Sequence, residues 1–328
     1  MHRRLRNARR RVYAWIAEGV TAVAVRIPYK WQRWFYGWTL RPMMHLLLAG
    51  KARRNLRRVF GDELTPKREK EILRGLFRGM AALPAEWMGF DRMGREFFDR
   101  YVDDTEGVAS IHHTEQTYKK AWIGVTGHIS NWELLAQWQN YAGLCPMGGI
   151  IAKRQPNPHL NRLIERMRGR FGMNTLYRDE PIAKIVRLLK RGHSIGIAGD
   201  QDVESLPGIF VEFLGSQAYT PVGPARLAWA ADVPIVVGLM IRQGEGRYRV
   251  QMNAPIFPDR TRPKSEEILR MTQEWCRQLE AVIRENPEQW PWFHDRWKTT
   301  PERLEAKARK LVEREAAAQA ATTHQRTG

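Results

Sequence analysis

The segment Gly124-Val-Thr-Gly-His128-Ile-Ser-Asn-Trp-Glu133 carries the clearest chemical signal in the chain. An apolar run ends at Thr126, Gly127 allows a sharp turn, and a helix begins near Ser130. In open α/β sheets ligands gather at the carboxyl ends of strands, so His128 falls where a reacting group would sit. His128 and Glu133 are five residues apart. On one continuous helix they would point about 140° apart, so they meet only if the histidine lies on the turn and the acid on the helix. A carboxylate bonded to one imidazole nitrogen fixes the tautomer and leaves the other nitrogen basic, and such a pair can take a proton from an alcohol. The same spacing fits a plainer arrangement. Ser130-x-x-Glu133 is also a capping box, in which the acid only satisfies backbone N–H groups.

Three further segments hold groups of the same kind. Lys153-Arg154-Gln-Pro-Asn157-Pro158 precedes a helical stretch with Arg162, Arg166, Arg168 and Arg170. Guanidinium forks bind phosphates bidentately, and here they would lie over the same crevice; a solvated basic helix face is the alternative. Asp200-Gln201-Asp202 follows a second apolar run. Acids at a strand end can position a polar substrate, a D-x-D can hold a divalent metal beside a nucleotide sugar, and aspartates can also simply cap a turn. Finally, residues 286–298 are rich in aromatic and basic side chains, including Trp290, Trp292, His294, Arg296 and Lys298. They suit either a lipid-facing surface beside the N-terminus or an aromatic core cluster.

The elements that must carry these residues are legible from texture. Residues 51–100 read as helical, with Thr65-Pro66 as a start signal. From about residue 119 short apolar runs appear: Ala121–Thr126, Met147–Ala152, Ser194–Ala198, Ile209–Phe213, Pro234–Ile241 and Tyr248–Met252. Their lengths and Gly, Pro or polar boundaries are those of buried strands. Helical stretches lie between them at Asn131–Tyr141, Pro158–Phe171, Pro181–Arg191 and Pro224–Ala231, followed by 264–286. This alternation predicts an α/β domain with a mostly parallel sheet. Glu302–Ala321 reads as a charged helix that frays into the polar tail Thr322–Gly328.

Composition narrows the class. With 328 residues, 43% hydrophobic, the chain can bury a substantial core. Two cysteines build neither a disulfide framework nor a cysteine zinc site. No apolar run approaches the length of a membrane span. The net charge of +19 calls for an anionic partner. It is concentrated: residues 1–58 hold fifteen Lys and Arg against the single acid Glu18, interleaved with Trp15, Trp31, Trp34 and Trp38. Indole rings settle at the headgroup level and basic side chains are drawn to anionic lipid, so this stretch suits a membrane surface. Glu18 interrupts the run that would otherwise read as a signal peptide. No nucleic-acid motif follows it, so no nucleic-acid partner is expected.

Taken in order, the segments resemble the bacterial lipid A late acyltransferases, a family related to the phosphatidylinositol-mannoside acyltransferases. His128-x4-Glu133 is similar to the family's H-x4-D/E motif, and Asn157-Pro158 with Arg168 and Arg170 to its N-P…R-x-R block. Asp200-Gln201-Asp202 is similar to its D-x-D. Pro287-Glu-Gln-Trp-Pro-Trp292-Phe-His294-Asp-Arg296-Trp-Lys298 is the most specific match, and Lys51-Ala-Arg-Arg-Asn55-Leu56 resembles an N-terminal R-x-N-L block. The resemblance spans roughly residues 45–300. It implies a glycerolipid-acyltransferase-like fold, a mostly parallel mixed central sheet flanked by helices, with a helical, basic and aromatic N-terminal region on the membrane. It implies an O-acyltransferase in which His128 is the base and Glu133 its partner. Asn131, Lys153, Arg154, Arg168, Arg170, Asp200, Gln201 and Asp202 are the expected substrate-binding residues. The implied donor is an acyl carrier protein or acyl-CoA thioester, the acceptor a glycolipid hydroxyl, with no metal or cofactor, at the cytoplasmic face of the bacterial inner membrane. Many members have a hydrophobic N-terminal anchor, which Glu18, Arg26 and Lys30 interrupt here. The expected organisation is a membrane-interface region over 1–58, an acyltransferase domain over 59–300 and a charged helix with a tail over 301–328. Two rival functions follow from single features: metal-dependent glycosyl transfer at Asp200 and Asp202, and non-enzymatic binding to an anionic surface.

Overall fold

The computed structural model describes residues 19, 23, 26–110, 121–143, 146–169, 172–310 and 313. The first 18 residues, Arg170, the end of the charged C-terminal helix and the tail therefore lie outside the described residues. Two long antiparallel helices open the chain, α1 (Tyr29–Phe60) and α2 (Pro66–Met93), followed by the short α3 (Arg95–Tyr101). Thr65 caps α2 as its sequence predicts: its hydroxyl accepts a hydrogen bond from the Arg68 amide at 3.2 Å, with Pro66 in the first turn.

The rest is a three-layer α/β arrangement. Its sheet has the order β1-β9-β8-β2-β5-β3-β4. The strands are β1 (Val102–Asp103), β2 (Ile123–Thr126), β3 (Met147–Ala152), β4 (Thr175–Tyr177), β5 (Ser194–Ala198), β8 (Ile235–Gln243) and β9 (Arg247–Met252). The central strands β8, β2, β5, β3 and β4 are parallel, and β9 turns back antiparallel to β8. Five helices connect or cover them: α4 (Trp132–Tyr141), α5 (Pro158–Gly169), α6 (Ile182–Lys190), α7 (Gly223–Ala231) and α8 (Lys264–Glu285). A separate hairpin pairs β6 (Gly208–Phe213) with β7 (Ser216–Pro221). Each apolar run expected to be a strand is one, within a few residues at its ends. The three strands not expected are β1, β4 and β7. The first two are only two and three residues long, and β7, Ser-Gln-Ala-Tyr-Thr-Pro, is too polar to stand out.

The register of β2 on β5 fixes the site. Thr126 pairs with Ala198, so Gly127-His128 and Gly199-Asp200 leave two adjacent strand ends side by side. No bulk separates them. A Cβ on Gly127 would stand 3.3 Å from Asp200 Oδ2, and one on Gly199 would stand 2.9 Å from the Trp275 ring.

The C-terminal aromatic segment belongs to the core, not to a lipid-facing surface. Trp290, Trp292 and Arg296 are fully buried. The Trp290 and Trp292 rings meet edge to face at 4.8 Å, and Phe60 of α1 packs on Trp292 at 5.5 Å. Indoles of this size gain more from complete burial than from an interface when their N–H groups find acceptors, as they do here at Asp200 and the Pro287 carbonyl. The segment does lie beside the N-terminal helix as expected. Asn55 donates to the carbonyls of Trp292 and His294 at 2.6 and 2.9 Å, and Lys51 pairs with Asp295 at 2.5 Å.

One buried polar network ties these layers together. Glu86 of α2, with no exposure, pairs with Arg242 of β8 and accepts from Asn131 Nδ2 at 2.9 Å. The Arg242 backbone is held in turn by Gln289, whose own carbonyl accepts from the Ser130 amide at 2.9 Å. Removing one member strands a buried charge, which typically costs about 3–5 kcal/mol. Glu86→Ala should therefore lower the unfolding free energy by about 3 kcal/mol, read as a shifted urea midpoint with an unchanged slope.

Candidate active site

His128 sits on the turn after β2, as its sequence context predicts. The turn is tight: Ser130 has φ of 51°, an uncommon conformation for a residue with a side chain. The ring does not pair with Glu133. Its Nδ1 lies 2.6 Å from Asp200 Oδ1, and its backbone amide donates to Asp200 Oδ2 at 2.8 Å. The Trp290 indole donates to the same oxygen at 2.9 Å. Since the carboxylate only accepts, the proton sits on Nδ1 and Nε2 is the basic nitrogen. Nε2 is 3.4 Å from the side-chain amide of Gln201.

Two residues exchange their expected parts. Asp200, expected to bind substrate, orients the histidine. Glu133, expected to orient the histidine, is bound as a fork by Arg168, whose Nε and second terminal nitrogen donate at 2.9 and 2.5 Å. The physical reason is the register. Paired strand ends bring Asp200 against His128, whereas Glu133 on α4 faces Arg168 arriving from α5. Arg168 is thus mostly spent on Glu133 and reaches the cavity as one half of an ion pair.

The other candidates divide. Gln201, Asp202, Lys153 and Arg168 line the cavity beside His128. Asp202 is nonetheless committed to the protein, accepting from the Thr299 amide and hydroxyl at 2.8 and 2.7 Å. Asn131 is buried away from the cavity: its Oδ1 accepts from the Leu134 amide as the cap of α4, and its Nδ2 serves Glu86. It is a structural cap, favoured because a short amide satisfies an orphan helix N–H. Arg154 reaches Asp179 at 3.4 Å and lies over the Tyr177 ring at 3.7 Å, and it is not among the cavity-lining residues. The acids of the D-x-D point apart and have protein donors on all four oxygens. Among the described residues no three metal-ligating side chains come together. These carboxylates hold the His128 turn, the Trp290 indole and Thr299.

Burial and charge set the protonation states. Burial disfavours the imidazolium, but the charge and hydrogen bond of Asp200 outweigh it and hold the His128 pKa above the ordinary 6.5. Burial likewise opposes the Asp200 carboxylate, yet His128 and the hydrogen bonds around it keep that carboxyl well below the usual range. His294, whose ring lies 5.6 Å from that of His128, is pushed below its ordinary value mainly by burial.

The cavity has a volume of about 790 Å³. Its mouth carries Lys153, Arg178 and Lys298, and its interior is largely apolar, with Trp122, Leu135, Ile150 and Met252 among the lining. Arg178 and Glu86 lie outside every motif named above, and Gln289 falls within the segment Pro287–Lys298. Glu86 does carry a signal, an isolated acid in the apolar stretch Met80–Met88.

A histidine held by a buried carboxylate thus stands at the strand ends of an α/β sheet, beside a cavity with apolar walls and exposed cations at its mouth. The chain matches the family described as bacterial lipid A biosynthesis acyltransferase across residues 2–299, and it belongs to that family. It is an acyltransferase. It is 26% identical over 299 residues to the lipid A biosynthesis palmitoleoyltransferase of Escherichia coli K12, covering 88% of this chain and 91% of that one. The lipid A biosynthesis acyltransferase of Shigella flexneri matches to the same extent. The lipid A biosynthesis lauroyltransferase of E. coli K12 is also 26% identical, over 298 residues, 88% of this chain and 92% of its own.

If Nε2 of neutral His128 takes the proton, activity rises with pH through a limb centred above 6.5, because the protonated ring is inactive and Asp200 favours it. Asp200→Asn removes that stabilisation. It should move the limb to lower pH and cut the plateau rate on the order of 10³-fold, both read from kcat profiles between pH 5 and 9.

Proposed function

We propose that this enzyme transfers a fatty acyl group from a thioester, carried on acyl carrier protein or CoA, to a hydroxyl of a lipid A precursor. The observation that carries this reading is the placement of the basic His128 nitrogen at the junction of a cationic mouth and an apolar cavity. The mouth suits the phosphates of donor and acceptor, and the interior suits an acyl chain.

The reaction follows from these groups. His128 Nε2 takes the proton of the acceptor hydroxyl as its oxygen attacks the thioester carbonyl carbon. The new C–O bond gives a tetrahedral intermediate. The C–S bond then breaks, and the imidazolium returns its proton to the departing thiolate, leaving ester and thiol. Asp200 remains ionised throughout and holds the ring in one tautomer. Glu133 acts at one remove: it keeps Arg168 at the cavity wall, and its charge also favours the imidazolium. His128→Ala should lower transfer by about 10³-fold while leaving the thermal midpoint within a few degrees. The assay presents a lipid A precursor with a range of carrier-protein and CoA thioesters. Turnover near the wild-type rate in that variant excludes His128 as the base.

The first half of α1 supplies a means of reaching such an acceptor. Trp31, Trp34, Phe35, Trp38 and Leu46 share one exposed stripe, and Leu46 is 84% exposed. Arg41 and Lys30 lie along the same half. Among the described residues no helix is long and apolar enough to cross a membrane. The stripe fits a helix lying in the headgroup layer of an anionic membrane, and it supports the reading that the enzyme works at the cytoplasmic face of the inner membrane. Trp34→Ser with Trp38→Ser should weaken partition onto phosphatidylglycerol vesicles at least tenfold in a flotation assay. Undiminished flotation would remove the stripe from the attachment.

A further inference from the structure

The floor of the cavity is built of missing side chains. Side chains alternate along an extended chain, so Gly124 and Thr126 of β2 and Trp122 just before it share the face that lines the cavity. Gly124 pairs with Gly196 of β5 on one side and Val236 of β8 on the other, and Gly196 pairs with Ile150 of β3. At this level two neighbouring strands offer bare backbone to the cavity.

The two glycines differ in what lies above them. A Cβ on Gly196 would stand 2.6 Å from Met147 Cε and 2.9 Å from Ile150 Cγ2, so that space is already filled. A Cβ on Gly124 would find nothing nearer than 3.8 Å. Gly238 of β8 resembles Gly196, since a Cβ there meets Met252 Sδ at 2.8 Å. Among these three cavity-lining glycines, Gly124 alone leaves open room. Its backbone is ordinary, with no positive φ to demand glycine. Farther from His128 along the chain, Trp122 also lines the cavity; its Nε1 lies 3.9 Å from that Cβ position and has no hydrogen-bond partner among the described residues. Trp122 is almost wholly buried, so a chain that passes Gly124 meets its ring as the next wall. The reactive end of the cavity lies beyond Thr126, four residues along the chain from Trp122, or about 13 Å.

We infer that Gly124 sets the length of acyl chain this enzyme accepts, by leaving the trough open from the reactive end down to Trp122. The inference rests on the acyl-transfer reading for its substrate, and the strand geometry supplies the gauge. A side chain at 124 raises the floor by its own length and excludes the terminal methylenes of a long chain. Each methylene kept from apolar cover weakens binding roughly fourfold.

The test uses full-length enzyme, Gly124→Ala and Gly124→Leu, with folding checked by circular dichroism. Two readouts are taken across straight chains from decanoyl to hexadecanoyl. One is the ratio of kcat/KM values for carrier-protein thioesters in competition. The other is the equilibrium affinity of the matching free fatty acids by calorimetry. The expected result is a fall in the hexadecanoyl-to-decanoyl ratio of about fourfold for Gly124→Ala and at least tenfold for Gly124→Leu, in both readouts. An unchanged affinity ratio in the folded variants overturns the gauge, whatever happens to transfer. A shifted affinity ratio supports the gauge even where wild-type enzyme transfers none of these chains, an outcome that refutes the acyl-transfer reading alone. If Gly124→Leu fails to fold, the Gly124→Ala ratio decides: no change overturns the gauge.

Discussion

The carboxylate of Asp200 is the constraint on which the rest of this structure depends. It is completely buried, and an isolated charge there would be costly. It is tolerated because three donors converge on it from two other parts of the chain: the His128 amide, the His128 ring and the Trp290 indole. The same bonds that satisfy the acid aim the histidine. The strand register, the small residues at 127 and 199 and the buried C-terminal tryptophans can all be read as conditions for this one cluster. Loss of the acid would leave donors unsatisfied at each of these points, so chemistry and folding are coupled here.

A second shell of support reaches the same turn from the opposite side. Glu86 holds Asn131, and Gln289 holds Ser130 and the backbone of Arg242. Ser130 occupies a sparsely populated backbone conformation, which persists only when its surroundings over-determine it. The bonds to its amide and to its neighbour's side chain supply that determination. Residues far apart in sequence thus converge on a three-residue turn, and the turn presents His128 to the cavity.

Much of the fold was legible because its signals are local. The runs Ser194–Ala198 and Met147–Ala152 are strands over the residues their apolar texture marks. Thr65-Pro66 starts a helix because capping needs only neighbouring residues. The candidate site was legible as a set of residues but not as a set of partnerships. His128 and Asp200 are 72 positions apart, and only the pairing of β2 with β5 brings them together. Glu133 was the obvious partner by proximity in sequence, and Arg168 claims it in space. The tryptophans of residues 290–297 have a composition that fits a lipid interface as well as a core. Only their neighbours, Asp200 and Phe60 among them, distinguish the two.

Helix α1 runs over 32 residues, close to 48 Å at 1.5 Å per residue, with Pro42 inside it. Its first half bears the exposed tryptophans. Its second half is bolted to the carbonyls of Trp292 and His294 through Asn55, and the His294 ring neighbours that of His128. The direction in which the aromatic stripe faces is therefore phased to the His128 turn like a key to its shaft. One residue inserted between Leu47 and Lys51 would turn the stripe by about 100° relative to Asn55, and with it Tyr29, whose buried ring packs on Phe97 and Tyr101. The bearing of the stripe on the rest of the fold is thus set by the number of residues in one helix as well as by the buried contacts along it.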